Sequence, residues 1–338
     1  MEIRTPGSLH SFVRVRSHWK RASRVQAQKA RFSSYGMTMI DARIERIVES
    51  NLPSPVTFGA IGDAYGFCFE FVDNPQNDLH YHRHPTFTHI RPGAYSDDTQ
   101  MQIALAEVIA SEREWSPDEL AQAFVDTFKR DPRAGYAERF HAFLSSINSG
   151  QEFREKMRPQ SERNGAAMRA PVIGMFDSID EVVLRSEIQA KLTHDTRGGV
   201  DSAIAAALMS HYFAYSLGTK EELPAFLTNH VPGYDWNPTW KDKVPVHGIN
   251  TVQAAVTAVC QSNSLANLLR RCVAFTGDVD SVATIAMASA SNHASFARDI
   301  PNNLWNDFEP SRFGIHYLLD LDQRVRSIVY KIGKRSVE

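Results

Sequence analysis

The sequence predicts an all-α fold, a single compact multi-helix domain at residues 37–338 behind a basic N-terminal arm at residues 1–36. Seven segments carry apolar residues at helical spacing, and several open on Ser, Thr or Asp or hold Pro in the first turn, as helix N-termini do. No comparable set of alternating β-branched strands is present to build a sheet.

In chain order, "IDARIERIVESNL" sets Ile40, Ile44, Ile47 and Val48 on one face and stops before Pro53. Helices are then expected in "TQMQIALAEVIASERE", "SPDELAQAFVDTFKR", "GVDSAIAAALMSHYFAYSLG", "TVQAAVTAVCQSN", "SLANLLRRCVAF" and "DSVATIAMASAS". The alanine-rich members of this set read as central helices, because small side chains let helix axes approach closely. The aromatic, Pro-containing stretch at 229–248 reads as a surface loop or as a rim over a site.

At 338 residues, 43% hydrophobic and 22% charged, the chain has the composition of a globular protein able to bury a sizeable core. No apolar stretch approaches the roughly 20 residues that span a bilayer. Cys68, Cys260 and Cys272 are odd in number and widely spaced, which points to free thiols and makes the cytoplasm the expected location. The formal charge of −2 hides a polarised chain, since residues 1–36 are rich in Arg and Lys with Glu2 as their one acid. Such an arm is expected to be disordered or ordered by a partner. Its Arg- and Ser-rich, acid-poor composition also resembles a mitochondrial transit peptide, which makes mitochondria the alternative location. A basic arm suits phosphates, but beyond Phe12, Trp19 and Phe32 it has no interleaved aromatics, so nucleic acid is not the expected partner.

Acidic stretches recur and read as loops at helix starts: "GAIGDAYGFCFE" (59–70), "SDDT" (96–99), "THDTRGGVDS" (193–202) and "TGDVDS" (276–281). Taken alone, "SDDT" is a helix cap favoured by the dipole. Together, Asp97, Asp98, Asp278 and Asp280 supply more carboxylates than capping uses, and four like charges in one pocket would repel strongly unless a cation neutralised them. Donors that are all oxygen, with the Ser96, Thr99 and Ser281 hydroxyls beside them, favour a hard ion such as Mg²⁺ or Mn²⁺.

These motifs, in this order over roughly residues 45–295, resemble the ADP-ribosylglycohydrolases of the dinitrogenase reductase-activating and ADP-ribosylarginine hydrolase type. "GDAYGFCFE", "PGAYSDDTQM", "RNGAAMRAPVIG", "THDTRGGVDSAIAAAL" and "TGDVDSVATIAMASA" carry the likeness. The resemblance implies two divalent cations, Mg²⁺ or Mn²⁺, held by Ser96, Asp97, Asp98, Asp278, Asp280 and Ser281. It implies catalytic roles for Glu70, Asp97 and Asp98, and a substrate-binding set of Asp63, Asn164, Gly165, Met168, Arg169 and His194. The chain departs from the family pattern in having Ser96 for Thr, Thr276 for the first Gly of the last loop, Val279 for a common Thr and Ser281 for the closing Thr.

The implied function is metal-dependent hydrolysis releasing ADP-ribose from a modified protein side chain, arginine first. The enzyme is expected to work as a monomer. Immunity to an ADP-ribosylating toxin is an expected setting, with the arm also blocking the toxin. The competing reading is a non-catalytic protein that occludes a toxin or recognises ADP-ribosylated partners. "HYHRHP" places His80, His82 and His84 at alternate positions, but no neighbouring ligand set completes a metal site, so this stretch reads as a solvated loop.

Overall fold

The structure, a computed structural model, describes residues 42–50 and 52–335; the predicted arm lies outside them. Chain contacts divide the protein between Leu52 and Pro53. Among its described residues the first unit holds one helix, α1 (Ala42–Ser50).

From Pro53 onward the order is α2 (Pro55–Phe67), α3 (Asp97–Ala110), α4 (Pro117–Arg130), α5 (Glu138–Ser146), α6 (Gly150–Lys156) and α7 (Gly165–Met168). A 3₁₀ turn (Ala170–Met175) leads to α8 (Ile179–Lys191), α9 (Arg197–Ala214), α10 (Leu223–His230) and α11 (Gly248–Cys260). The chain closes with α12 (Leu265–Ala274), α13 (Val279–Ala290), α14 (Asn302–Asn306) and α15 (Ile315–Arg335). Among the described residues β-structure is limited to isolated bridges, so the fold is all-α. No described helix is long and apolar enough to cross a membrane.

The helix starts follow capping chemistry. The hydroxyls of Ser96, Ser116, Ser149, Ser178, Thr196 and Ser264 each accept a hydrogen bond from a backbone N–H in the first turn, two residues on for Ser96 and three for the others. Outer helices are amphipathic: α4 buries Leu120, Phe124 and Phe128 while Asp118 and Arg130 stay outside. Every residue of α2 and of α13 is buried, which makes these two the centre of the bundle. Each buried Val, Ile or Phe there contributes on the order of 2 kcal/mol.

The stretch at 59–67, expected as an acidic loop, is instead the second half of α2. Gly59, Gly62 and Gly66 gave it a loop-like composition, and each costs about 1 kcal/mol in a helix interior. Packing overrides that cost, because the glycine stripe lets α13 approach: a methyl on Gly62 would lie 2.4 Å from the Ala283 carbonyl oxygen. The start of α2 is capped from a distance, with Asp322 of α15 accepting from Val56 N (3.0 Å) and Thr57 N (2.9 Å).

Three non-helical segments are zipped together. Val244 N donates to Thr276 O (3.0 Å), Asp278 N donates to Val244 O (3.0 Å), and Asn164 N donates to Val246 O (3.1 Å). The tail of the 229–248 stretch thus lies between the loop before α13 and the loop before α7, while most of the stretch before it is exposed, as a surface loop is.

Candidate metal centre

The start of α3 carries the first carboxylates. Ser96 is the N-cap, its Oγ accepting from Asp98 N (3.3 Å), and Asp97 N donates to Ala134 O (2.9 Å). Behind this turn lies Asp63 of α2, fully buried. Its carboxylate accepts from Ser96 N (3.0 Å), Thr99 N (2.9 Å) and the Thr99 hydroxyl (2.5 Å). Expected in the substrate set, Asp63 here clamps the Ser96–Thr99 turn, with both oxygens already engaged.

The start of α13 carries the second pair. Thr276 (φ 61) and Gly277 (φ 85) turn left-handed before Asp278, the N-cap. A β-branched Thr in that region is strained by about 1–2 kcal/mol, which is why Gly suits this position and why its replacement by Thr is notable. Two hydrogen bonds to Val244 hold the turn.

The two loops converge. The Ser281 hydroxyl lies beside the carboxylates of both Asp98 and Asp278, and the Asn164 side chain beside that of Asp278, each favouring the charged form of its neighbour. Oxygens of Glu70, Asp278 and Asp280 all lie within 4.8 Å of one another. Burial, then the neighbouring carboxylates, Asp63 foremost for Asp97 and Asp98 and Glu70 for Asp280, pushes the carboxyls of Asp97, Asp98 and Asp280 well above the usual range. Burial, then Asp278 and Asp63, pushes Glu70 up to about 8. Asp98 Oδ2 and Asp280 Oδ1 are buried without a hydrogen-bond partner. Buried carboxylate oxygens left unpaired among like charges are costly unless a cation takes them. An all-oxygen donor set with two orphaned carboxylate oxygens fits divalent cations of the hard kind.

The sequence model of the ADP-ribosylglycohydrolases matches residues 59–307. The chain belongs to the ADP-ribosylglycohydrolase family.

Among relatives of this family, ADP-ribosylhydrolase ARH3 of Xenopus tropicalis is 29% identical over 127 residues, 35% of this chain and 36% of that protein. ARH3 of Homo sapiens is 29% identical over 145 residues, 40% of each chain. ADP-ribosylarginine hydrolase Tri1 of Pseudomonas putida is 22% identical over 245 residues, 67% of this chain and 66% of that protein. The chain therefore spans little more than a third of the length of the first ARH3 relative. A solved structure described as an ADP-ribosylglycohydrolase-related protein complex superposes with a TM-score of 0.62 at 18% identity, covering 85% of this chain and 99% of that one, a likeness of fold.

The other family-motif residues divide into two groups. Gly165 lies against His194, where an added methyl would sit 3.0 Å from the ring, and the His194 Nδ1 is 2.6 Å from the Thr193 hydroxyl. Burial, then the Arg169 charge, lowers the His194 pKa to about 3, so the ring is neutral at physiological pH. Met168 and Arg169 are buried behind them. The Arg169 guanidinium donates to Gln189 Oε1 (2.5 Å), Gln189 O (3.0 Å) and Thr193 Oγ1 (2.8 Å) and stacks over Phe124, so it braces the His194 turn from inside.

Two contributors were missed in the sequence. Gly135, at φ 101, packs against Asp97, and no motif surrounds it. His84, expected in a solvated loop, is 6% exposed and its Nε2 is 2.8 Å from Glu70 O. His82, by contrast, stays near the surface and pairs with Asp78 at 2.8 Å.

Proposed function

We propose that this protein hydrolyses the bond between ribose C1 of an ADP-ribosyl group and a modified protein side chain, with arginine as the acceptor. The observation that carries this reading is the convergence of the Asp97–Asp98 and Asp278–Asp280 turns on Glu70, with two buried carboxylate oxygens left for a cation. Arginine is chosen because Tri1, matched over two thirds of this chain, is named for it.

Ser96, Asp97, Asp98, Asp278, Asp280 and Ser281 would hold two divalent cations, Mg²⁺ or Mn²⁺. When bound, such ions lower the pKa of water and anchor a vicinal diol. The four aspartates screen positive charge from a C1 that gains oxocarbenium character as its bond breaks. Glu70, half-buried beside them, is the group to take a proton from the attacking water and return it to the leaving side chain. His194, kept neutral, offers a hydrogen bond to the nucleotide without adding charge.

The test is release of ADP-ribose from arginine- and serine-modified target proteins in Mg²⁺ or Mn²⁺, with EDTA as control. The expected result is metal-dependent release, fastest from arginine. Release from neither target would remove the hydrolase reading and leave a binding role.

A further inference from the structure

Glu70 and Phe71 share one peptide unit, and both of its polar ends are tied to different parts of the protein. The Phe71 N–H donates to Gly277 O at 2.7 Å, in the turn that delivers Asp278. The Glu70 carbonyl faces His84 Nε2 at 2.8 Å. Because the His84 Nδ1 accepts from Thr86 N (3.1 Å) and Phe87 N (3.0 Å), the ring proton sits on Nε2 and is donated to Glu70 O. The ring packs against Phe67, with centroids 5.9 Å apart, and Phe87, at 4.9 Å, which also touch each other at 5.6 Å, so it belongs to an aromatic cluster that opposes its turning away.

This double attachment works against a strain. Phe71 has φ 53, a left-handed conformation that a bulky residue adopts at a cost of about 1–2 kcal/mol. Rotation of the planar Glu70–Phe71 unit would relieve Phe71 but break its hydrogen bond to the Gly277 turn, freeing the Glu70 backbone to shift away from that turn and carry its carboxylate with it. The hydrogen bonds from His84 and to Gly277 oppose that rotation.

We propose that His84 is a positioning residue: it holds the Glu70–Phe71 peptide in its strained orientation and so keeps the Glu70 carboxylate beside Asp278 and Asp280. The proposal rests on the reading of Glu70 as the proton-handling group in the hydrolysis proposed above.

Two variants separate this role from a purely local one. In His84→Asn the short amide can still accept from Thr86 and Phe87 but does not reach Glu70 O. In His84→Gln the longer amide reaches Glu70 O but gives up the acceptor for that turn. Hydrogen exchange of the Phe71 amide, followed by mass spectrometry with fragmentation, reads the peptide directly, while kcat and KM on the ADP-ribosylated target in Mg²⁺ read Glu70. His84→Asn is expected to speed Phe71 exchange about tenfold, the scale of one hydrogen bond, and to lower kcat with little change in KM. His84→Gln is expected to stay near the unaltered protein in both. Unchanged Phe71 exchange in His84→Asn, or an equal defect in His84→Gln, would overturn the proposal. If His84→Asn melts below the assay temperature, His84→Gln decides alone: slow Phe71 exchange supports the role and fast exchange overturns it. Should the unaltered protein release no ADP-ribose while the exchange pattern appears as expected, the hydrolase reading fails and the hold on the Glu70 peptide stands.

Discussion

The backbone of Gly66 lies against that of Asp280, so close that a methyl on Gly66 would sit 2.4 Å from the Asp280 Cα and 2.9 Å from its nitrogen. Neither partner can yield easily, since both belong to fully buried helices. Gly66→Ala is therefore expected to push α2 away from the start of α13, at about 2 kcal/mol in stability. Displacing Glu70 from Asp280 by even part of an ångström is expected to lower kcat roughly a hundredfold. Chemical denaturation and steady-state kinetics check the two effects.

Gly135 makes a more local contact. Its φ of 101 disfavours any side chain, and an added methyl would fall 2.1 Å from Asp97 Oδ1. Gly135→Ala is expected to turn the Asp97 carboxylate aside and weaken Mn²⁺ binding by roughly 10- to 100-fold, with a smaller loss of melting temperature than Gly66→Ala. Isothermal titration with Mn²⁺ beside a thermal melt distinguishes the outcomes.

Asp322 tests the frame away from the site. It caps α2, and Arg326 beside it is also buried, donating to Pro53 O and to Ser54 Oγ (3.1 Å). Asp322→Ala leaves two helix N–H groups unpaired and a buried cation without its counter-charge, at about 3–5 kcal/mol. The expected consequence is a melting temperature lower by roughly 10 °C, read by calorimetry, with metal binding retained below the transition.

His211 supplies a pH dependence. Burial, then the nearby His230, lowers its pKa from 6.5 to about 4, and its Nδ1 bonds Phe176 O at 2.9 Å. The unfolded chain therefore binds this proton more readily. The stabilisation is complete above pH 6.5 and declines as pH falls towards 4, by about 3 kcal/mol in all. Urea melts between pH 7.5 and 4.5 are expected to show the gap between unaltered protein and His211→Asn narrowing with acidification. A constant gap would contradict this account.

The parts of the fold and site that were legible in the sequence are those governed by local chemistry. Ser96 before Asp97 and Asp98, and Asp278 before Asp280, lie at helix starts because capping is a short-range rule, and two such turns with surplus carboxylates pointed to one pocket. What escaped depends on contacts distant in sequence or in space. The helix Pro55–Phe67 was hidden by glycines whose purpose, the approach of α13, exists only after folding. Asp63 and Arg169 carry family motifs yet face inward, clamping Thr99 and Thr193, and no pattern in the chain separates a clamp from a substrate contact. His84 was masked by its surface neighbours His80 and His82, since its partner is a backbone carbonyl that has no residue signature.

The most direct measurement of the central claim is anomalous diffraction from crystals equilibrated with saturating Mn²⁺. Two peaks are expected among Asp97, Asp98, Asp278 and Asp280, both lost on replacing Asp97 and Asp98 with Asn. Density without an anomalous peak at those four carboxylates would contradict the claim.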